Sequence, residues 1–451
     1  MKFFSYHTLF LIYSIYSHST IRIPIKRTTP SISSIIPSTF SSFYSSLYYY
    51  SIISVGSNNE EIPLHLSFNN YHSFIVSHNY THGDFIKYNQ DASSSYKKLT
   101  FGPRYFSSLN IKQGIESKET FKFKDTNNKN TNCENINFIL GIVPSVDVSG
   151  DLGLKAYEYI KEKDYNRLTN YSFITSLYKN GYIKQKVFTL NFNNKNEGEI
   201  IIGSKPSDYS NYDEDTYKNA YIPSFNEETF WGFDTVISYI NKDRVSNTKE
   251  KVVLEIENNI IIPIKSYSEK IKEVFFKDLV YKSKCSFEDA NETFSFYHCD
   301  KDIDISSFPI LSFYQQNINY TFELNATDLF VDINDRLYFL MNFANNDEYK
   351  WVLGSPFLLK YNFTYDFDSK SVGMYFGTKE KPKEGFNMVW IAVIISAAII
   401  VILGVVIFIV IKKFPRKTRA NELKENFEYN ENDGKNEEGN GDEKNKLGIN
   451  D

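Results

Sequence analysis

The chain has 451 residues, enough for two or three domains with sizeable cores. A net charge of −5 argues against a nucleic-acid partner, which would call for a basic face. The 34 Tyr and 38 Phe favour strands over helices.

At the N-terminus Lys2 precedes an apolar, aromatic run that fades at Ser17–Ser19. Residues 1–20 are read as a secretory signal peptide, although no clean small-x-small cleavage site follows. Ile21–Arg27 is a short basic strand, and Thr28–Ser46, rich in Ser, Thr and Pro, reads as a linker. From Tyr48 the pattern is β: YYYSIISVG, EIPLHLSF, FIVSH, KVFTLNF, EIIIG, VVLEI, NIIIPI and MYFG are short β-branched or aromatic runs bounded by Asn, Gly, Ser or Lys. Helical spacing is confined to Ser172–Asn180, Ser266–Tyr281 and Leu154–Lys163. Phe138-Ile-Leu-Gly141 and Trp351-Val-Leu-Gly354 echo each other, which predicts two similar lobes.

Met388–Ile411 is a run of apolar residues without charge. At about 1.5 Å per residue it spans a hydrocarbon core of roughly 30 Å with some tilt. Lys412, Lys413, Arg416, Lys417 and Arg419 follow, so the positive-inside rule predicts a single-pass type I protein with a cytoplasmic tail. That tail, 412–451, is acidic, nearly devoid of apolar residues and expected to be disordered. Sequons at Asn79, Asn170, Asn291, Asn319, Asn325 and Asn362 all precede the span and are glycosylation candidates. Cys285 and Cys299 are expected to form a disulfide, worth about 3 kcal/mol by the loop-entropy estimate, with Cys133 a buried thiol. His65, His72, His78 and His82 lie in one region without ligand spacing, so neither a metal nor another cofactor is expected.

Several segments stand in an order that resembles the pepsin-like aspartic proteases. Tyr48–Gly56 is similar to the family's first strand, Tyr88–Tyr96 to its Phe-x-Pro-x-x-Ser-Ser-Thr-Tyr segment, and Asn137–Ser145 to its Asp-Gly-Ile-Leu-Gly stretch. Phe173–Gly203 resembles the helix and two strands that follow, and Phe230-Trp231 the opening of the second lobe. Ser307–Phe313 resembles the strand after the disulfide, and Trp351–Gly377 the closing segment. Ile21–Arg27 is similar to the start of that family's propeptide.

The resemblance implies a mostly β, two-lobed fold with a central cleft, here followed by one transmembrane helix. The implied segments are 21–46 propeptide remnant and linker, 47–222 N-terminal lobe, 223–380 C-terminal lobe, and 388–411 the span.

The family's chemistry is what fails to appear. Matching Phe74-Ile75-Val76 to the family's Leu-Trp-Val puts Phe68-Asn69-Asn70 where the first catalytic Asp-Thr-Gly belongs. The second falls on Glu255-Ile256-Glu257. Two carboxylates must share one proton in that mechanism, and Phe68 cannot ionise. Asn69, Asn70, Tyr71, Ile256, Glu257 and Asn258 are expected to line the cleft floor. The reading is a membrane-anchored pseudoprotease of the secretory pathway or cell surface, binding a peptide or protein in the cleft. The alternatives are an active, divergent aspartic endopeptidase and a surface structural or adhesion protein that reuses the fold.

Overall fold

The computed structural model describes residues 20–376 apart from 29–39, 41–45, 101–103, 107–110, 125–129, 145–147, 156–171, 207–217, 225–229, 246–248 and 345–349. These described residues all belong to one compact unit. The expected leader, the span Met388–Ile411, the tail, Asn170 and most of the expected helix Leu154–Lys163 lie outside the described residues. Among those described, no helix is long and apolar enough to cross a membrane.

Strands form where apolar side chains alternate. In Glu60–Ser67, Ile62, Leu64 and Leu66 are buried while the residues between them are more exposed. In Ile21–Arg27, Ile21, Ile23 and Ile25 point inward, and Arg22 pairs with Glu199 at 2.9 Å on the strand beside it. That basic strand lies between Glu197–Ile202 and Tyr49–Val55. Both expected helices in the described residues form. Phe173–Lys179 is capped by the Ser172 side chain, and Lys265–Tyr281 is continuous through one π-helical turn at Lys272–Phe276.

Among the described residues the strands make three sheets of fourteen, seven and four. The largest holds most of the described first half of the chain together with the last two described strands, Phe363–Asp366 and Ser371–Phe376. Phe363–Asp366 pairs with Val187–Phe192, and Ser371–Phe376 with Lys218–Pro223. The expected boundary at 222/223 thus falls inside a strand, and the segment Phe363–Phe376 closes back onto the first half. The seven-stranded sheet (Gly232–Ile240, Glu250–Leu254, Leu311–Gln315 and neighbours) and the four-stranded one belong to the second half.

One large apolar core runs through both halves. At its centre Phe188 stacks on Tyr365 at 4.7 Å, with Trp231 5.3 Å and Phe68 5.0 Å from the same tyrosine ring. Trp231 also donates its indole N–H to the Leu154 carbonyl at 2.6 Å, a buried bond between halves. The Cys285–Cys299 disulfide forms across adjacent strands, and Cys133 is a buried free thiol.

The segment expected to be a linker is anchored at one residue at least. Phe40 is fully buried, stacked on Tyr338 at 4.3 Å and packed on Phe296 at 4.7 Å. Thr28 and Tyr48 close its base through backbone and hydroxyl hydrogen bonds.

Candidate functional site

The two halves repeat one motif. In the second half Glu250–Leu254 runs parallel to Lys350–Leu353, which also pairs antiparallel with Ile261–Ile262. In the first half Glu60–Ser67 runs parallel to Gly150–Gly153, which pairs antiparallel with Phe74–Val76. Each motif ends on a Leu-Gly pair whose glycine presses on the turn between the outer strands. A Cβ on Gly354 would stand 2.4 Å from the Ile260 carbonyl oxygen, and one on Gly153 would stand 2.6 Å from that of His72. Neither position has room for a side chain.

That register corrects two sequence expectations. The first-half partner of Leu353-Gly354 is Leu152-Gly153, not Leu140-Gly141. Phe138–Gly141 instead lies on the far side of Phe74–Val76, in the long strand Asn130–Pro144, and a Cβ on Gly141 would meet nothing closer than 3.6 Å. The second correction concerns the turn. Leu66 pairs with Leu152 as Leu254 pairs with Leu353, so the residue matching Glu255 is Ser67 rather than Phe68. The return strands agree, because Phe74 and Ile262 each stand seven residues further on and pair with matching positions, Asp151 and Val352.

Side-chain direction gives the physical reason. Phe68 is turned into the aromatic core against Phe188 and Tyr365, as Ile256 is buried in the matching place. A shift of one residue along an extended chain exchanges inside for outside.

The turns therefore meet as Ser67-Phe68-Asn69-Asn70-Tyr71 and Glu255-Ile256-Glu257-Asn258-Asn259. Glu257 bridges them. Its Oε1 accepts the Ser67 hydroxyl at 2.7 Å and the Asn69 backbone N–H at 2.9 Å, while its Oε2 is buried without a hydrogen-bond partner. The same Ser67 oxygen accepts the Asn70 N–H at 3.1 Å, and the Asn70 amide donates to Asp151 at 2.5 Å. In the second half the Asn258 side chain donates to the Glu255 carboxylate. Asn259 takes a hydrogen bond from Arg27 at 2.9 Å and donates to the Leu47 carbonyl at 2.5 Å, tying the N-terminal segment to the second turn. Tyr71 and Asn259 are buried, Asn69 is exposed, and Glu255, Glu257, Asn70 and Asn258 are half-buried.

Three acids at this junction are hard to ionise. Burial pushes the Glu255 carboxyl up to about 7, with the Glu257 charge adding to the shift and Lys350 and Lys155 opposing it. Burial raises Glu257 as well, against hydrogen bonds from Ser67 and backbone amides. Asp151 is pushed up to about 7 by burial, with Asn70 opposing and Glu257 reinforcing. His65, whose Nδ1 lies 4.0 Å from Asp151, is driven down to about 4 by burial and is neutral at pH 7. The ammonium groups of Lys155 and Lys350, which oppose the shift at Glu255, lie 5.2 Å and 5.5 Å from the centre of the Phe230 ring.

Sequence reasoning placed Glu255, Glu257, Asn69, Asn70 and Asn258 at this junction but missed Ser67, Asp151 and Asn259. The signal for the first two was Asp151-Leu-Gly-Leu154, whose Leu-Gly stands in the register place of Leu353-Gly354. Among the described residues no group of His, Cys, Asp and Glu has metal-binding geometry.

Of the sequons, Asn79, Asn291, Asn319 and Asn325 are exposed. Asn325 also caps a short helix, while Asn362 is engaged by Asn191 and the Phe192 N–H.

A search of curated proteins finds no match to the chain. The family model for the eukaryotic aspartyl proteases does match, over residues 48–375, which takes in both motifs and the junction between them. With that match the sequence resemblance is settled: the chain belongs to the eukaryotic aspartyl protease family.

Proposed function

We propose that this family member binds a peptide or protein at the junction of its two halves and does not hydrolyse it by the family's shared-proton mechanism. One observation carries the reading. The register place opposite Glu255 holds Ser67, a hydroxyl that donates to Glu257 at 2.7 Å. A serine hydroxyl cannot share a proton with Glu255 as a second carboxyl would, so the water-activating pair is absent at those two places. The ends of the paired strands bring the amide side chains of Asn69, Asn70 and Asn258 to this junction, none of them fully buried, which supplies polar anchors of the kind that suit a peptide.

The competing reading is hydrolysis by Glu255 together with Glu257. What favours it is the raised titration of both carboxyls and the contribution of the Glu257 charge to Glu255. Incubating the purified protein with unfolded protein pools between about pH 3 and pH 7, with and without pepstatin, separates the two. No pepstatin-sensitive cleavage is expected. Cleavage abolished by Glu255→Gln would replace binding with hydrolysis. A third reading, a structural or adhesive surface protein, predicts that peptides occupying the cleft leave its partner contacts intact, whereas the binding reading predicts competition.

The setting is the secretory pathway or cell surface, with Met388–Ile411 spanning the bilayer and Lys412 onward in the cytosol. The hydropathy of that run, its basic flank and the confinement of all six sequons to the preceding residues support this. Protease added to intact cells or right-side-out vesicles should leave the tail intact. Loss of the tail there, or its protection in inside-out vesicles, would reverse the orientation.

A further inference from the structure

Glu257 belongs to the second half, but both groups that hold its Oε1 belong to the first: the Ser67 hydroxyl at 2.7 Å and the Asn69 N–H at 2.9 Å. Its Oε2 is buried with no partner, and among the described residues no Lys, Arg or His lies within 4.0 Å to neutralise it. From the geometry of this bridge we propose that Glu257 is a proton-operated latch between the two halves, closed while its carboxyl is protonated and loosened when it ionises. The proposal rests on the reading that ligand is held at this junction, and it names how access there is regulated.

The surroundings set the direction. A neutral carboxyl satisfies Ser67 and Asn69 through its carbonyl oxygen and leaves only an uncharged hydroxyl buried, a far smaller cost than a buried charge. Once ionised, Glu257 faces two other acids, while the Ser67–Tyr71 turn brings no charge of either sign. Asp151 comes from Gly150–Gly153 and Glu255 from its own turn. The nearby cations compensate elsewhere: Lys155 and Lys350 act on Glu255, and His65, beside Asp151, is neutral in this range. Hydrogen bonds from Ser67 and from the backbone amides of Asn69, Glu257 and Phe68 favour the ionised form but are outweighed by burial. Hydration of the charge then requires the two turns to part, so the latch holds in acid and loosens as rising pH ionises the carboxyl.

Hydrogen exchange on the full-length protein tests this without any ligand. Exchange of the amides in 66–72 and 253–260 is compared at about pH 5 and pH 8 after correction for intrinsic chemistry. Wild type should lose protection in these segments by about tenfold or more at the higher pH, the factor expected for about 1.4 kcal/mol of local stability. Glu257→Gln keeps the carbonyl acceptor and cannot ionise, so it should stay protected at both. Equal pH-dependence in wild type and Glu257→Gln, or none in wild type, would overturn the latch.

Should Glu257→Gln fail to fold, Ser67→Ala takes its place. It should be poorly protected at both values, and a surviving pH step would sink the proposal. Glu255→Gln serves as the control, and if it alone removes the step the assignment to Glu257 is wrong. Failure of the latch in exchange leaves ligand binding standing, whereas failure of peptides to bind leaves the exchange result standing.

Discussion

Ser67 and Glu257 are a matched pair, and restoring a carboxylate at the first of them exposes the match. In Ser67→Asp the donor that now satisfies Glu257 at 2.7 Å is replaced by a second acid at the same junction. Losing a buried hydrogen bond to a carboxylate costs about 1.5–3 kcal/mol. Two like charges about 4 Å apart at an effective dielectric of about 20 add up to about 4 kcal/mol, relieved in part by protonation of one of them. A net destabilisation of about 2–4 kcal/mol is expected near pH 7.5, falling markedly near pH 4.5, where both acids can be neutral. Removing the opposing side chain should return much of it. In Ser67→Asp/Glu257→Gly the coupling between the two changes should be about 1–3 kcal/mol in the favourable direction. Urea unfolding of the four members of the cycle at both pH values measures it. Additivity within about 0.5 kcal/mol would refute the reasoning, as would a Ser67→Asp protein as stable as wild type at the higher pH.

The glycines discriminate between the two Leu-Gly pairs. Gly153→Ala forces a Cβ to within 2.6 Å of the His72 carbonyl oxygen and should cost about 2–3 kcal/mol, whereas Gly141→Ala, with nothing inside 3.6 Å, should stay within about 1 kcal/mol of wild type; a reversed order in urea unfolding would place the motif wrongly. Asp151 and Glu255 are harder to ionise folded than unfolded, so the unfolded chain loses protons first. Their contribution to stability is therefore greatest below about pH 4 and declines up to about 7, and the double variant Asp151→Asn/Glu255→Gln should flatten that part of the thermal-melting profile. Burial pushes the Cys133 thiol up to about 12, so native protein should resist thiol alkylation that proceeds after unfolding, and rapid native labelling would contradict its position.

The sequence was most legible where chemistry and pattern coincide. Alternating apolar residues marked the strands, and Cys285 and Cys299, fourteen residues apart, read as a pair and form one. In the second half Trp351–Gly354 fixed the motif, and Glu255 stands one residue past its last paired position. The first half was misjudged by one residue for a definable reason. Phe74, Ile75 and Val76 are all buried, so this strand has no polar alternation to set its register, and any apolar triplet matches it equally well. The echo of Leu353-Gly354 in Leu140-Gly141 misled for a different reason, since Leu152-Gly153 holds that register place. What separates them is how closely the neighbouring backbone approaches, which depends on strands far apart in the chain. The Glu257 bridge spans 190 residues to Ser67 and had no local signal.

The substitutions at the junction make sense together rather than singly. A pair of strand-turn-strand motifs brings two turns so close that whatever they carry must be mutually satisfied. Buried carboxyls in that space need either a shared proton or donors supplied from across the gap. With serine at 67, the first turn offers a hydroxyl and a backbone amide, and a carboxyl reaching over from 257 uses both. Asp151 is likewise served by Asn70, and Glu255 by Asn258, so each acid has an amide or hydroxyl donor close by. The scaffold keeps its geometry because its registration rests on Gly153, Gly354 and the aromatic core around Tyr365, none of which takes part in proton transfer. Chemistry at the turns can change while the fold persists because different residues carry each.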